Sequence, residues 1–477
     1  MFSVYFASDR SSSGKSTVTL AFSKMLKDLG YSLNIYKTGP DFIDPAVLAR
    51  VLNLDVKNLD PFLIPNKYLT EWFLSENDGN ENAREAKKVF VVESAMGLYD
   101  GNSYDIAKKF KLPVVLVMDS RRISSTMASL VFGLKRYKKG VNVCGVILNN
   151  ISSERHYEII SEEIRKNILG VEVFGYILNN ESVFSIKERH LGLITPDGKS
   201  GEMRLEKIAE NIKRAVFKNI RLDLLIKTLK KNSNGFNDLF SNYRKRISES
   251  HKNKKNTHIY KKIKIAVAQD KAFFFYYNFN MEILKSFGAE IIFFSPYRDK
   301  ALPKGIKAIY IGGGYPEIYA RNLAENRAII GEIYKFYKNN GIIYAECGGL
   351  MYLCEKITYK HKSFDMTGVF PLEASMDNAR LSLGYRTVRF KEKTFFGESG
   401  LTANGHEFHY SKLINIDGND DNKRDYKKVL EYERLNSPGR FESEGYSILN
   451  AIGSYIHLSF FSNKLLAKNF LDSARKS

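Results

Sequence analysis

Cysteine is scarce in this chain. Three thiols in 477 residues, Cys144, Cys347 and Cys354, cannot build a disulfide framework, so a cytoplasmic protein is expected. Long apolar runs are missing too. No stretch reaches the ~18 residues that span a bilayer, which argues against a membrane protein. The start, Met1-Phe2-Ser3-Val4-Tyr5-Phe6-Ala7, has no basic flank and is too short for a signal peptide; it reads as a buried strand. Acidic residues are outnumbered, 53 against 73 Lys and Arg, for a net charge of +20. Half of that excess lies between Lys227 and Lys264, where ten Lys and two Arg meet only Asp238 and Glu249. Such an Asn/Ser/Lys-rich stretch reads as a solvated linker. No helix-turn-helix or zinc spacing accompanies it, so nucleic acid is not an expected partner. A basic surface attracts an acidic small substrate instead.

What is present is a repeated alternation of β-branched runs with helical patterns. Ser3 to Ala7, Ser32 to Tyr36, Val89 to Glu93, Val114 to Met118, Val143 to Leu148 and Val171 to Tyr176 are expected strands. Continuous apolar strands separated by helices predict an α/β fold with a parallel sheet covered on both faces. The pattern restarts at Ile263 and runs through Glu290 to Phe294, Ala308 to Ile311 and Gly341 to Ala345. Two α/β domains follow, 1–226 and 263–477, joined by a basic linker at 227–262. Asn378 to Lys393 and Gly397 to Ser411 read as sheet and loop, and Asn415 to Arg440 as a charged loop.

In the first half, Ser11-Ser12-Ser13-Gly14-Lys15-Ser16-Thr17 follows a strand and opens a helix. That is the setting of a phosphate-binding loop, whose backbone N–H groups wrap phosphate at a helix N-terminus. Ser12, Ser13, Gly14, Lys15, Ser16 and Thr17 are therefore expected ATP-binding residues, Lys15 on the β/γ-phosphates and Ser16 on Mg²⁺. The loop holds one glycine where such loops usually hold more, and close approach of backbone to phosphate is easier with Gly. Lys37-Thr38-Gly39-Pro40-Asp41-Phe42-Ile43-Asp44-Pro45 sets two carboxylates three apart, suited to a divalent metal, to orienting a substrate, or to plain turn chemistry. Glu93, ending an apolar strand before Ser94-Ala95-Met96-Gly97-Leu98-Tyr99-Asp100-Gly101, is the expected second carboxylate on the metal side. Asn149, at a strand end, suits reading of an adenine edge or a turn.

In the second half, Cys347 stands between the strand Ile342 to Ala345 and the helix beginning at Leu350, as on a nucleophile elbow. The helix N-terminus is expected to lower the thiol pKa. The N–H of Gly348, with Gly313 and Gly314 from Gly312-Gly313-Gly314, is expected to face an oxyanion. His457 is the favoured base; His406 and His409 compete for the role. No residue to orient His457 is evident, and position 459, which holds a Glu in many thiol amidotransferases, is Ser.

Taken together these motifs resemble the cobyrinate a,c-diamide synthase family over nearly the whole chain. Lys37 to Pro45 resembles K-x-G-P-D-Y-I-D-P, with Phe42 for Tyr. Glu93 to Gly101 resembles E-x-x-M-G-L-x-D-G. Glu188-Arg189-His190-Leu191-Gly192-Leu193, Gly312 to Glu317, Glu346 to Leu353 and Gly405 to Ser411 are similarly close, although Asn404 replaces a common Arg. The family's loop G-T-x-S-G-x-G-K appears here as Ser8-Asp9-Arg10-Ser11-Ser12-Ser13-Gly14-Lys15. The resemblance implies a dethiobiotin-synthetase-like ATP domain and a class I glutamine amidotransferase (flavodoxin-like) domain, both doubly wound. It implies two ATP- and glutamine-dependent amidations of side-chain carboxylates on a corrinoid polycarboxylate. It implies metal contacts from Ser16, Asp41 and Glu93, substrate-side roles for Asp44 and Asp100, and Cys347 attacking glutamine with help from His457. A homodimer is compatible with it. Nickel-sirohydrochlorin is an alternative substrate for the same chemistry. The Leu350-Met351 that follows Gly349 argues against a cobyric acid synthase, and the cysteine domain against a ParA-like ATPase or a non-catalytic scaffold.

Overall fold

The structure is a computed structural model that describes residues 1–75, 87–179, 199–253, 260–416, 426–434 and 437–477. The chain divides into two compact units. The first comprises Met1–Pro61 and Asn66–Thr257, the second Phe62–Pro65 and His258–Ser477.

The first unit is built on seven strands: β1 (Phe2–Ala7), β2 (Ser32–Thr38), β3 (Val56–Leu59), β4 (Lys88–Glu93), β5 (Pro113–Asp119), β6 (Asn142–Ile151) and β7 (Glu172–Leu178). Their order is β3-β2-β4-β1-β5-β6-β7, and every pairing is parallel. The strands carry apolar residues on both faces because helices cover both; Val89, Phe90, Val91 and Val92 are all fully buried. The six expected strands form, and β3 adds a seventh. The strand order reverses direction around β1 and β4, so the carboxyl ends of those two strands flank the crevice where α/β sheets bind ligands. Both the phosphate-loop motif and Glu93 stand there.

The expected basic linker is largely helical. Leu222–Asn232 and Asn234–Asn253 are helices of the first unit. Leu225 and Leu229 in the first helix, and Phe236 and Phe240 in the second, are each four residues apart and buried. Phe236 and Phe240 lie 5.0 and 5.6 Å from Phe90 between ring centroids. The apolar stripe, with its i, i+4 period, outweighs the surrounding lysines, which simply line the solvated face. The motif Glu188 to Leu193 lies outside the described residues.

The second unit has β8 (Ile263–Ala268), β9 (Phe273–Phe275), β10 (Ala289–Phe294), β11 (Ala308–Ile311), β12 (Gly313–Gly314), β13 (Ile342–Glu346), β14 (Cys354–Tyr359), β15 (Lys362–Asp365), β16 (Phe370–Ser375), β17 (Ser382–Phe390), β18 (Thr402–His409), β19 (Lys412–Asn415), β20 (Lys427–Arg434), β21 (Ser437–Ile448), β22 (Ala451–Ser454) and β23 (Ile456–Leu458). The main sheet runs β10-β8-β11-β13-β22-β21-β20-β17-β18-β23. Its first five strands are parallel, the doubly wound part the sequence pattern predicts; the remainder is antiparallel. β15-β14-β16-β19 form a small sheet, and β12 pairs with β9. Much of the stretch expected as a charged loop, from Asn415 to Arg440, is strand. β20 alternates outward charges with buried Val429, Leu430 and Tyr432, so its charge density hid a half-buried ladder. Among the described residues no helix is long and apolar enough to cross a membrane.

Candidate active sites

In the first unit the loop after β1 leads into the helix Lys15–Asp28, with Gly14 as its N-cap at φ 97°. A Cβ on Gly14 would lie 2.2 Å from Asn149 Nδ2, so the position takes only glycine. Asn149 Nδ2 itself donates to Ser13 O at 2.9 Å. The Asn149 amide thus braces the phosphate loop, and the residue lines the same cavity as Gly14, Lys15 and Ser16. Ser12 holds φ 57°, a left-handed conformation. It is the position where the resembled family's loop carries a glycine, and a serine there costs about 1 kcal/mol.

Lys15 is buried, and its Nζ donates to Ser8 Oγ at 3.0 Å and to Arg10 O at 2.9 Å. Burial pulls its ammonium down to about 8, with the Glu93 charge opposing. Ser16 Oγ donates to Glu93 Oε1 at 2.6 Å and to Asp44 Oδ2 at 3.0 Å. Lys37, whose role the motif alone did not disclose, sends Nζ to Glu93 Oε1 and Asp44 Oδ2, both at 2.5 Å. Burial works against the Lys37 ammonium, but the charges of Glu93 and Asp44 hold it above its usual value.

Asp41 and Asp44 line the same cavity but make different contacts. Asp41 Oδ1 accepts from Ile43 N at 2.8 Å, a cap on the helix Ile43–Leu52, while Asp44 in that helix's first turn reaches Ser16. Burial and the neighbouring Asp44 charge push Asp41 up to about 7. For Asp44 burial is overcome by Lys37, and the carboxyl falls below its usual range. Asp100 accepts from Gly97 N at 3.1 Å and so closes its own turn. Thr17 lies in the first helical turn beside Ser16 and lines the same cavity of about 560 Å³ with Lys15, Lys37, Asp41 and Asp44.

Among the described residues no group of three or more His, Cys, Asp or Glu converges as a ready metal site. The oxygen donors that fit Mg²⁺ are Ser16 Oγ, Glu93 and Asp44, since Mg²⁺ is usually held by one or two carboxylates plus phosphate. Glu93 Oε2 is buried with no hydrogen-bond partner among the described residues, the type of oxygen a hard cation takes.

In the second unit Cys347 sits on the turn between β13 and the six-residue helix Gly348–Leu353, at φ 50°, ψ −107°. Its N–H donates to Ser454 O at 2.7 Å, fastening the elbow to β22. A Cβ on Gly313 would come within 2.6 Å of His457 Cε1 and 2.9 Å of Nε2, and one on Gly348 within 3.1 Å of Gly314 N. The three expected oxyanion glycines therefore lie together, Gly313 against the His457 ring and Gly348, the residue after Cys347, against Gly314, and a side chain at Gly313 or Gly348 would crowd these approaches. Tyr276 OH accepts from Gly312 N at 2.8 Å and steadies the strand that follows.

The rival bases are otherwise engaged. His409 Nε2 contacts Glu407 Oε1 at 2.7 Å, and its ring stacks on Tyr455. Burial, with nearby His457, pulls His406 down to about 3, so it stays neutral. Ser459 Oγ donates to Leu63 O at 2.6 Å and Asn404 Nδ2 to Phe62 O at 2.8 Å, so both hold the short Phe62–Pro65 segment of this unit. The carboxylate beside His457 is Glu346, with Oε2 3.3 Å from Nδ1, a pairing that no sequence spacing discloses.

The thiol differs from expectation. Burial, reinforced by the Glu317 charge, pushes Cys347 well above its usual value and overrides the Gly348 N–H. A two-turn helix offers too little dipole to offset full desolvation. The thiol instead approaches Phe408 O at 3.7 Å as a neutral donor. Alkylation of Cys347 by iodoacetamide without substrate is expected to rise about tenfold per pH unit from neutrality to pH ~9. A plateau below neutrality would show a preformed thiolate instead.

The comparisons with known proteins cover both halves of the chain. Residues 4–194 match the CobQ/CobB/MinD/ParA nucleotide binding domain, and residues 264–465 the CobB/CobQ-like glutamine amidotransferase domain. The chain is 33% identical to the cobyrinate a,c-diamide synthase of Streptococcus sanguinis, over 97% of each chain. It is 33% identical to that of Picrophilus torridus, over 99% of this chain and 98% of the relative. It is 34% identical to that of Caldanaerobacter subterraneus, over 98% and 97%.

Proposed function

Because this chain belongs to the cobyrinate a,c-diamide synthase family, we propose that it amidates the a and c side-chain carboxylates of cobyrinate with ATP and glutamine. The observation that carries the reading is the pairing of a phosphate cradle around Lys15 with a Cys347–His457 elbow in a chain related to these synthases end to end.

In the first unit, backbone N–H groups of residues 12 to 16 hold the ATP phosphates, and Lys15 contacts the transferring group. Bound Mg²⁺, held by Ser16, Glu93 and Asp44, would neutralise charge on the phosphates. Lys37 steadies the carboxylates around it and presents a cation to the substrate carboxylate. The carboxylate oxygen attacks the γ-phosphorus, ADP leaves, and an acyl phosphate forms.

In the second unit, Cys347 gives its proton to His457 Nε2 and its sulfur attacks the side-chain amide carbon of glutamine. The developing oxyanion faces the N–H groups of Gly314 and Gly348. His457 returns the proton to the leaving nitrogen, releasing ammonia and a thioester that water hydrolyses to glutamate. Ammonia then displaces phosphate from the acyl phosphate.

The test is to offer the purified protein ATP, Mg²⁺ and glutamine with cobyrinate in one reaction and nickel-sirohydrochlorin in another. Amidation of cobyrinate supports the reading. Amidation confined to the nickel macrocycle would transfer the same chemistry to that substrate and overturn the corrin assignment.

A further inference from the structure

Thiol amidotransferases need something to orient the imidazole, and position 459, where a Glu is usual, is Ser. We infer that Glu346, the residue immediately before the nucleophile, is the carboxylate that positions His457 for glutamine hydrolysis. The inference rests on Cys347 being the glutaminase nucleophile.

Three features support this. First is location. Glu346 ends β13, and His457 lies on β23; Glu346 Oε2 is 3.3 Å from His457 Nδ1, with both side chains almost fully buried. The elbow lets neighbouring residues part. Cys347, at φ 50°, leaves the strand with its sulfur toward Phe408 O, while Glu346, the last residue of β13, keeps its carboxylate beside the imidazole.

Second is preorganisation. Glu346 Oε2 accepts from Tyr310 OH at 2.7 Å; Oε1 accepts from Tyr344 OH at 2.6 Å and from Leu458 N at 3.0 Å. Burial and the Glu346 charge push both phenols far above their ordinary value, so they remain donors. Three donors fix the position of the carboxylate in a buried site. The donor at Leu458 belongs to the residue next to His457, so the same carboxylate fixes the backbone that carries the base.

Third is direction. The Nε2 edge of His457 faces Gly313 in the oxyanion strand, which leaves Nδ1 for Glu346. A carboxylate at Nδ1 favours the tautomer with its proton there, and Nε2 is then the free base that takes the thiol proton.

The test is Glu346→Gln, read in two assays on the full-length protein: glutamine hydrolysis and amidation driven by ammonium salt. Gln keeps an acceptor for Leu458 N and Tyr344 OH but can present an N–H to Nδ1, which selects the wrong tautomer. The expected result is a fall of about 10²–10⁴-fold in glutaminase kcat, with the KM for glutamine within a few-fold. Ammonium-driven amidation should stay within about twofold, because that half-reaction does not use the thiol. Glu346→Asp keeps the charge at greater distance and should recover about tenfold over Gln.

A merely structural role would not move the pH profile. The other groups facing His457 are His406 on β18, the adjacent Glu407–Arg386 pair, Cys347 and, beyond it, Glu317. Of these only Cys347 also feels the Glu346 charge, which helps to hold the thiol up, so the substitution eases the thiol downward and shifts the basic side of the profile, while the acid limb reports the imidazole. Loss of the anion destabilises the imidazolium, so the acid limb of glutaminase kcat/KM should move to lower pH. Glutaminase within about threefold of wild type, or ammonium-driven amidation falling in parallel with glutaminase, would overturn the inference. Failure of the proposed function is separate: it would appear as wild-type protein that hydrolyses glutamine but amidates no corrinoid, and the glutaminase comparison would still decide Glu346.

Discussion

Cys347→Ala is expected to abolish glutamine-dependent amidation, by about 10³-fold or more, while amidation with ammonium salt continues near the wild-type rate. The sulfur is the group that bonds to the glutamine carbon, and nothing else on the elbow can replace it. Cys354 is fully buried at the start of β14, and its thiol donates back to Leu350 O at 3.3 Å in the preceding helix, so it offers no substitute nucleophile. Alanine at 347 removes the sulfur but keeps the N–H that donates to Ser454 O. The fold should therefore persist, and ammonium-driven turnover reports that it has. Loss of both activities in a folded variant would mean that the thiol site and the ATP site are not separable in the way proposed.

The complementary substitution is Lys15→Ala. Lys15 is the cation at the mouth of the phosphate loop, 4% exposed and surrounded by Ser8, Arg10 and the Glu93 carboxylate. Removing it should cut amidation about 10²–10³-fold with either glutamine or ammonium, because the charge on the transferring phosphoryl group loses a preorganised counter-charge. Glutaminase measured alone should survive. The two variants thus give opposite patterns across two nitrogen sources. A Lys15→Ala protein that amidates normally with ammonium would place ATP chemistry elsewhere.

Most of the architecture was legible because parallel, doubly covered strands write themselves as continuous apolar runs, and every one of those runs in the first unit became a strand. The short β3 escaped because Val56-Lys57-Asn58-Leu59 has two polar residues that are buried all the same. The helices at 222–253 escaped for a different reason: density of lysine was read as solvation, although Leu225, Leu229, Phe236 and Phe240 marked an apolar stripe. The candidate site residues can be named by type from the motifs, but their contacts cannot. Asp41 and Asp44 are equivalent in the motif, and only the helix start at Ile43 decides that one caps while the other turns toward Ser16. The Cys347 shift was misjudged because sequence shows a helix start but not the burial and the Glu317 charge that outweigh it. The task of Glu346 is invisible in the sequence because its partner, more than a hundred residues along the chain, is brought beside it by the pairing of β22 with β13 just before β23.

The most direct test of the central claim is mass spectrometry of cobyrinate incubated with the protein, ATP, Mg²⁺ and glutamine labelled with heavy nitrogen in its side-chain amide. The account predicts a product in which two carboxylates have become amides, both carrying the heavy nitrogen, with one ADP formed for each. A corrinoid of unchanged mass, or amides holding unlabelled nitrogen while glutamine is hydrolysed, would contradict it.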